Sequence, residues 1–560
     1  MNKEIYPSVS GSFSNGIVAA GHPLEAEAGL DILQKGGNAV DAAITAAFVA
    51  DLAEPAMCGL GAHGVMSIYW AATGKTTIID FYDVAPATAT TSMFRTSLGK
   101  SSPEKTGALG YPSVENDEQF YGHKSAMVPS QVAGLCSAYD LFACLPLTTL
   151  MGPAITLARE GVPVDTIMDR YIQDTKHLWN IYPEMESTFG KNIGDYVVRS
   201  DLAKTLELIA NEGGDAFYRG VVAERIVQDM LDNGGILSAE DLDNYSPLIY
   251  ESDQYTYRDI SYVTGGNVTL VEALNILENF DISPSGHQTI EAVHLMIESM
   301  KLSWADTLAH VGDPRGSDSP WNALVSKGYA RQRASLIDPD KVSSFPNFGN
   351  PWTFENRENP NLNTIPVDDS GRISGHTTKV VVMDRDNNVV SLITSLGTYF
   401  GSQVIVPGTG ILLNNSMHRL DPRPGYLNSI MPGKGMQRLT SSVIAFNNNV
   451  PVSALAGSLS IFLGGMGIHP LVNMVDFGMG IHDSINSLRF HPSGEDIWVD
   501  GRMNSDLIDG LSKMGHKLVK RSSTYGNTSF GNHVGLSFSK DNSLMSGGMD
   551  VLHNNWVKGF

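Results

Sequence analysis

The sequence predicts an α+β chain in which antiparallel hairpins are layered against helices, an αββα arrangement. Three observations predict it. The runs Thr377-Thr378-Lys379-Val380-Val381-Val382-Met383 and Val389-Val390-Ser391-Leu392-Ile393-Thr394-Ser395 are rich in β-branched residues and favour an extended, pleated chain. Between them Asp384-Arg385-Asp386-Asn387-Asn388 reads as a turn, because Asp and Asn bond to local backbone and tolerate left-handed angles. Much of 129–210 is helical in pattern, broken at Gly161-Val162-Pro163. A hairpin centred near Asp386 sets position 377 opposite 395, so the hydroxyl of Ser395 comes beside Thr377.

The remaining elements follow in order. Residues 18–55 read as two helices: Pro23 suits a first turn, Gly36-Gly37 ends the first, and Asn38 caps an Ala-rich second. A Gly-rich bend at 58–64 leads into strand 65–70, which returns as 76–81 after a turn at Thr73-Gly74-Lys75. The bend lacks the Gly-Lys-Ser/Thr ending of a nucleotide loop, and His63 within it reads as a structural loop histidine. Helices are expected over 132–142, 147–160, 202–211, 220–233, 238–245, 269–280 and 289–309, with a strand over 255–263. A second hairpin turns on Asn447-Asn448-Asn449. Asp306 and His310 are spaced four apart on a helix but lack the further ligands of a metal site, so no metal is expected there.

The chain has 560 residues, 42% of them hydrophobic and 18% charged, as in a globular protein with a substantial core. Sixty acidic against 38 basic residues give a net charge of −22, which argues against nucleic acid and anionic membranes as partners. No run approaches the ~18 apolar residues of a spanning helix. The first residues lack the apolar core of a signal peptide. Cys58, Cys136 and Cys144 are odd in number and lack metal-ligand spacing, so buried free thiols and a cytoplasmic location are expected.

From 343 to 376 the chain is rich in Pro, Asn, Gly and Ser and reads as exposed, mobile coil. It runs straight into Thr377. The residues alone leave two readings. One is a linker followed by an ordinary hairpin. The other is a chain that cuts itself between His376 and Thr377, freeing a Thr α-amine with a pKa of about 8 that serves as base for its own hydroxyl.

Several stretches together resemble the gamma-glutamyltransferase family of N-terminal nucleophile hydrolases. They include Pro23-Leu24-Glu25-Ala26-Glu27-Ala28-Gly29-Leu30, Gly36-Gly37-Asn38-Ala39-Val40-Asp41-Ala42-Ala43, Glu54-Pro55, Val128-Pro129-Ser130-Gln131-Val132-Ala133-Gly134-Leu135, Thr377-Thr378 and Pro407-Gly408-Thr409-Gly410-Ile411-Leu412-Leu413-Asn414-Asn415. The likeness runs in order over nearly the whole chain. It implies a four-layer αββα sandwich built jointly by two self-cut segments, 1–376 and 377–560, which stay together. It implies Thr377 as nucleophile in an acyl-enzyme mechanism, Ser395 as hydroxyl partner of its amine, and a small-molecule amide as substrate. It implies no metal or organic cofactor. A homodimer of such two-piece units is a further expectation.

The match is poorer in the substrate pocket. Tyr82 stands where the family holds a substrate carboxylate with Arg. After Asn415, Arg419 stands where the family has an acid for the substrate α-amine. The paired serines after Pro-Gly-Lys are replaced by Gly435-Met436-Gln437-Arg438, and Gly397 replaces an Asn. For the oxyanion hole the resemblance offers Gly464-Gly465, with Ser460-Ile461 as the alternative. A cation cannot pair an ammonium but pairs a carboxylate well. With Tyr82, Asn415, Arg419 and Arg438 around the substrate, the expected substrate is a small acidic amide, oxamate-like or a dicarboxylic monoamide. A gamma-glutamyl hydrolase or transpeptidase acting on glutathione is the alternative. A non-catalytic relative with a binding role is the alternative of another class.

Overall fold

The computed structural model describes residues 12–97, 109–343, 347–360, 376–439, 441–458, 467–493, 496–526, 529–539 and 543–560. In chain order, a first sheet begins with β1 (Gly16–Ala20), β2 (His63–Trp70), β3 (Lys75–Phe81) and β4 (Leu248–Glu251). A second begins with β5 (Tyr255–Tyr257) and β6 (Ile260–Thr264). The first resumes with the central hairpin, β7 (His376–Asp384) and β8 (Val389–Gly397). The second adds β9 (Ser441–Asn447), β10 (Val450–Gly457), β11 (His533–Phe538) and β12 (Met545–Met549), and β13 (Trp556–Gly559) returns to the first. The spatial orders are β13-β1-β7-β8-β2-β3-β4 and β12-β11-β10-β9-β6-β5. Every pairing in both is antiparallel.

Alternation along β7 sorts its side chains to two faces. Val380 and Val382 join an apolar cluster with α1 (Pro23–Gln34), α2 (Ala39–Ala53), α3 (Gln131–Phe142), α4 (Leu147–Glu160) and α5 (Ser200–Glu212). Val381 and Met383 join another with Val263, Ile444, Phe446, Ala454 and Val534 of the second sheet. The outer face of that sheet, through Tyr262, Val443 and Leu455, packs on α6 (Val268–Leu277), α7 (Ile290–His310) and α8 (Ile468–Val475). The layers are therefore helix, sheet, sheet, helix, as the sequence predicts.

Local chemistry sets the element ends. Asn38 and Asp41 form a reciprocal capping box at α2, and Ser238 with Asp241 forms another. Every residue of α2 is buried, which its alanines permit by letting neighbours approach closely. Enlarging one, as in Ala46→Leu, is expected to cost about 1–3 kcal/mol through overpacking.

Residues 18–20 close strand β1 rather than opening a helix, and two further expectations need correction. Within the Pro/Asn-rich stretch before Thr377, residues 347–357 are largely exposed as expected, but the segment is anchored to the body of the fold at Gly349 and Trp352. Trp352 is 2% exposed. Its Nε1 donates to His310 Nδ1 at 3.3 Å, and the Arg357 guanidinium lies 4.6 Å from its ring centroid. Gly349 N donates to Asp306 Oδ1 at 2.5 Å, and Arg333 Nη2 to Asn347 O at 3.0 Å. One large aromatic side chain outweighs the loop-like composition around it. Second, all three thiols are free, but only Cys58 is buried, while Cys136 is half-buried and Cys144 exposed. Among the described residues, no helix is long and apolar enough to cross a membrane.

Candidate active site

The central hairpin keeps the expected register up to Thr394, which pairs with Thr378. There the ladder shifts, and Gly397 pairs with His376. The irregularity thus sits at the predicted nucleophile, where a bulge re-aims side chains. Gly397 has φ +103°, and a Cβ there would lie 2.3 Å from Asn415 Oδ1, so the position requires glycine. Its N–H donates to Ser395 Oγ at 3.0 Å.

Alternation puts Thr377 on the inter-sheet face with Val381, and Ser395 on the same face with Ile393. On the next strand, His63 is the direct partner of Ser395. Thr377, Ser395, His63, Tyr82, Arg419 and Gln437 line a common cavity with ≈ 20 Å³ of room for water centres, about one water's worth. The structure therefore gathers Thr377, Ser395, Tyr82 and Arg419. Gly464 and Gly465, the expected oxyanion-hole glycines, lie outside the described residues.

Arg438 and Asn415 are placed differently. Arg438 is 2% exposed. Its Nε donates to Asp80 Oδ2 at 2.7 Å, and its Nη1 lies 3.5 Å from Asp313 Oδ1. It stacks 4.5 Å from the Tyr82 ring centroid, so it supports the cavity wall without lining it. The Asn415 side chain is spent on internal bonds: Nδ2 donates to Phe120 O at 2.9 Å and Thr398 Oγ1 at 2.7 Å, and Oδ1 accepts from Thr398 N at 3.1 Å.

Arg419 has no carboxylate partner among the described residues. Its Nε donates to His418 Nε2 at 3.1 Å, while His418 Nδ1 donates to Asn415 O at 2.6 Å, so the imidazole is neutral and holds the arginine in place. Burial and then the Arg419 charge push His418 down to about 3. Burial also lowers the pKa of Arg419, against the pull of Tyr82 and Asp83. Burial pushes the Tyr82 hydroxyl up, keeping it neutral.

The opposite face of β7 carries a group that the sequence did not single out. Thr378 Oγ1 donates a short hydrogen bond to Glu54 Oε2 and lies 3.4 Å from Glu25 Oε2. Burial, then the Glu54 charge, raises the Glu25 pKa well above the carboxylate range. A Cβ on Gly21 would lie 2.2 Å from Glu54 Oε2 and 2.7 Å from Thr378 Oγ1, so the backbone closes over this pair only as glycine. Alternation within Thr377-Thr378 was the available signal: if one threonine faces the site, the next must face the helices.

Asp306, paired in the sequence with His310, forms an ion pair with Arg333 Nε at 2.9 Å and accepts from Tyr329 Oη at 2.8 Å. Elsewhere, His294, Glu298 and His516 bring candidate ligand atoms within 4.8 Å of one another. Lys301 Nζ, 2.7 Å from Glu298 Oε1, already supplies a cation there.

The gamma-glutamyltranspeptidase family model matches residues 26–554. The glutathione hydrolase proenzyme of Bacillus subtilis (strain 168) is 30% identical over 557 residues, covering 96% of this chain and 90% of that one. The acylase ACY 1 proenzyme of Pseudomonas sp. (strain SE83) is 31% identical, covering 91% and 88%. The crystal structure of cephalosporin acylase from Bacillus halodurans superposes with a TM-score of 0.84 at 26% identity, covering 100% and 99%. The αββα sandwich is that of the N-terminal nucleophile hydrolases. The chain belongs to the gamma-glutamyltranspeptidase family, whose chemistry is that of amide bonds.

Proposed function

We propose that this protein is a self-processing amidohydrolase whose N-terminal threonine, Thr377, is freed by a cut after His376. The segments 1–376 and 377–560 remain one fold. The Thr377 α-amine takes the proton of its own hydroxyl, and Oγ1 attacks the substrate carbonyl. The amine leaves with that proton, and water then releases the acyl group. Ser395 holds the α-amine. The three free thiols fit the cytoplasm as the proposed compartment.

The substrate we propose is a small amide whose acyl part ends in a carboxylate, oxamate-like or a dicarboxylic monoamide. The observation that carries this is Arg419: a guanidinium on the wall of the Thr377 cavity with no carboxylate partner among the described residues. Such a group favours an anionic ligand. A second reading, gamma-glutamyl hydrolysis or transfer, is favoured by relatives named as glutathione hydrolase proenzymes.

Intact mass under denaturing conditions tests the processing. Wild type is expected as two pieces, the smaller beginning at Thr377, and Thr377→Ala as one chain. A wild type that stays whole under all conditions moves the protein to the non-catalytic class. Comparing succinamate-type monoamides with a gamma-glutamyl anilide separates the two substrate readings.

A further inference from the structure

In the uncut chain the Thr377 nitrogen is an amide and cannot act as a base. Self-cleavage, on which this inference rests, therefore needs another group to take the hydroxyl proton. The described residues that line the cavity with Thr377 offer three titratable side chains: His63, Tyr82 and Arg419. Burial pushes the Tyr82 hydroxyl up, so it keeps its proton. A guanidinium keeps its proton as well.

His63 is 3% exposed, and its ring lies tilted against that of Tyr82 with centroids 5.0 Å apart. Its Nδ1 lies 3.1 Å from Asp83 Oδ2 and 3.0 Å from Ser416 Oγ. Asp83 is fully buried. The hydrogen bond runs between Nδ1 and Ser416 Oγ, while the Asp83 carboxylate, which accepts no hydrogen bond, repels a lone pair on Nδ1 and attracts a hydrogen there, so Nδ1 carries the hydrogen and the lone pair belongs to Nε2. No described residue is bonded to Nε2. His63 faces Ser395 across the β2–β8 ladder, and Thr377 lies one strand further on, so His63 and Thr377 are roughly 10 Å apart at their Cα atoms. The cavity between has room for about one water.

We infer that His63 is the general base of self-cleavage, acting on the Thr377 hydroxyl through one water and oriented by Asp83. The proton leaves Oγ1 for Nε2 as the bond from Oγ1 to the carbonyl carbon of residue 376 forms. The bond from that carbon to the Thr377 nitrogen then breaks, and Nε2 returns the proton to the departing nitrogen. The resulting ester is hydrolysed by water, leaving a carboxylate on 376 and an amine on 377. The imidazole ends as it began. Once the amine is free it replaces His63 as the base.

The test is the rate at which newly made full-length chain becomes two pieces, read by intact mass. His63→Ala is expected to slow it by roughly 100-fold or more. Added imidazole, which fits the space left by the ring, is expected to restore cleavage; a purely structural role gives no such rescue. Cleavage of His63→Ala at the wild-type rate overturns the inference. So does a His63→Ala chain that melts with uncut Thr377→Ala yet gains nothing from imidazole. If His63→Ala does not fold, Asp83→Asn carries the test, because it keeps the ring and changes only what faces Nδ1; wild-type cleavage there overturns the inference. A wild-type chain that is never cut counts against the proposed function instead.

Discussion

Arg438 Nε donates to Asp80 Oδ2 at 2.7 Å, with both side chains almost wholly buried. Asp313 lies 3.5 Å from the same guanidinium, so one cation serves two buried carboxylates. Removing it strands both. Arg438→Ala, made in the uncut Thr377→Ala background, is expected to lose about 3–5 kcal/mol in urea unfolding. Arg438→Lys should fall between, since it keeps the charge and loses the fork.

Arg419 should behave in the opposite way. It makes no ion pair with a carboxylate among the described residues, and Asp83 acts on it only at longer range, so Arg419→Ala is expected to change stability by under about 1 kcal/mol. For an amide with an acyl carboxylate, KM should rise about 10- to 100-fold, the value of a hydrogen bond to a charged group. An uncharged amide should be hydrolysed equally well by both proteins. Steady-state kinetics on the two substrates checks this.

Asp51 gives a pH signature. Burial raises its pKa to about 7, only partly offset by Gln131 Nε2, which donates at 2.9 and 3.0 Å, and by Arg199. Between the ordinary aspartate value of about 4 and about 7 the folded state holds a proton that the unfolded state has lost. Stability therefore falls as pH rises through this window and levels off above it, by at most about 4 kcal/mol. Asp51→Asn should flatten the difference between urea midpoints at pH 5 and pH 8.

Trp352 ties the segment before the proposed cut site to α7. Trp352→Ala is expected to cost about 3–5 kcal/mol. It should also open 347–357 to limited proteolysis, whereas the wild type resists there. Mapping the first proteolytic sites by mass checks both halves of the expectation.

The sandwich was legible because its signals are local. The run of three Val residues in β7, Asn-rich turns and caps at Asn38 and Ser238 each act over a few residues. The register of the β7–β8 hairpin was legible for the same reason. The bulge at Gly397 was not, since its cause is the approach of Asn415 from another part of the chain. Arg438 read as a pocket residue because its partner Asp80 is 358 positions away. His63 read as a loop residue because its place beside Ser395 exists only once β2 pairs with β8. Trp352 was hidden by the prolines and asparagines around it.

Both sheets draw strands from each side of position 377: β1 lies between β13 and β7, and β6 pairs with β9. A cut at that position therefore changes the molecularity of folding without changing the folded contacts. The precursor folds in a first-order process. Its two products can part only by losing both sheets, and can regain them only by meeting again in a second-order one. Dilution leaves the native molecule whole, yet after denaturation recovery depends on concentration. On the proposed function the order of events is built into the chain: fold first, cut second, with the precursor's connectivity available only once.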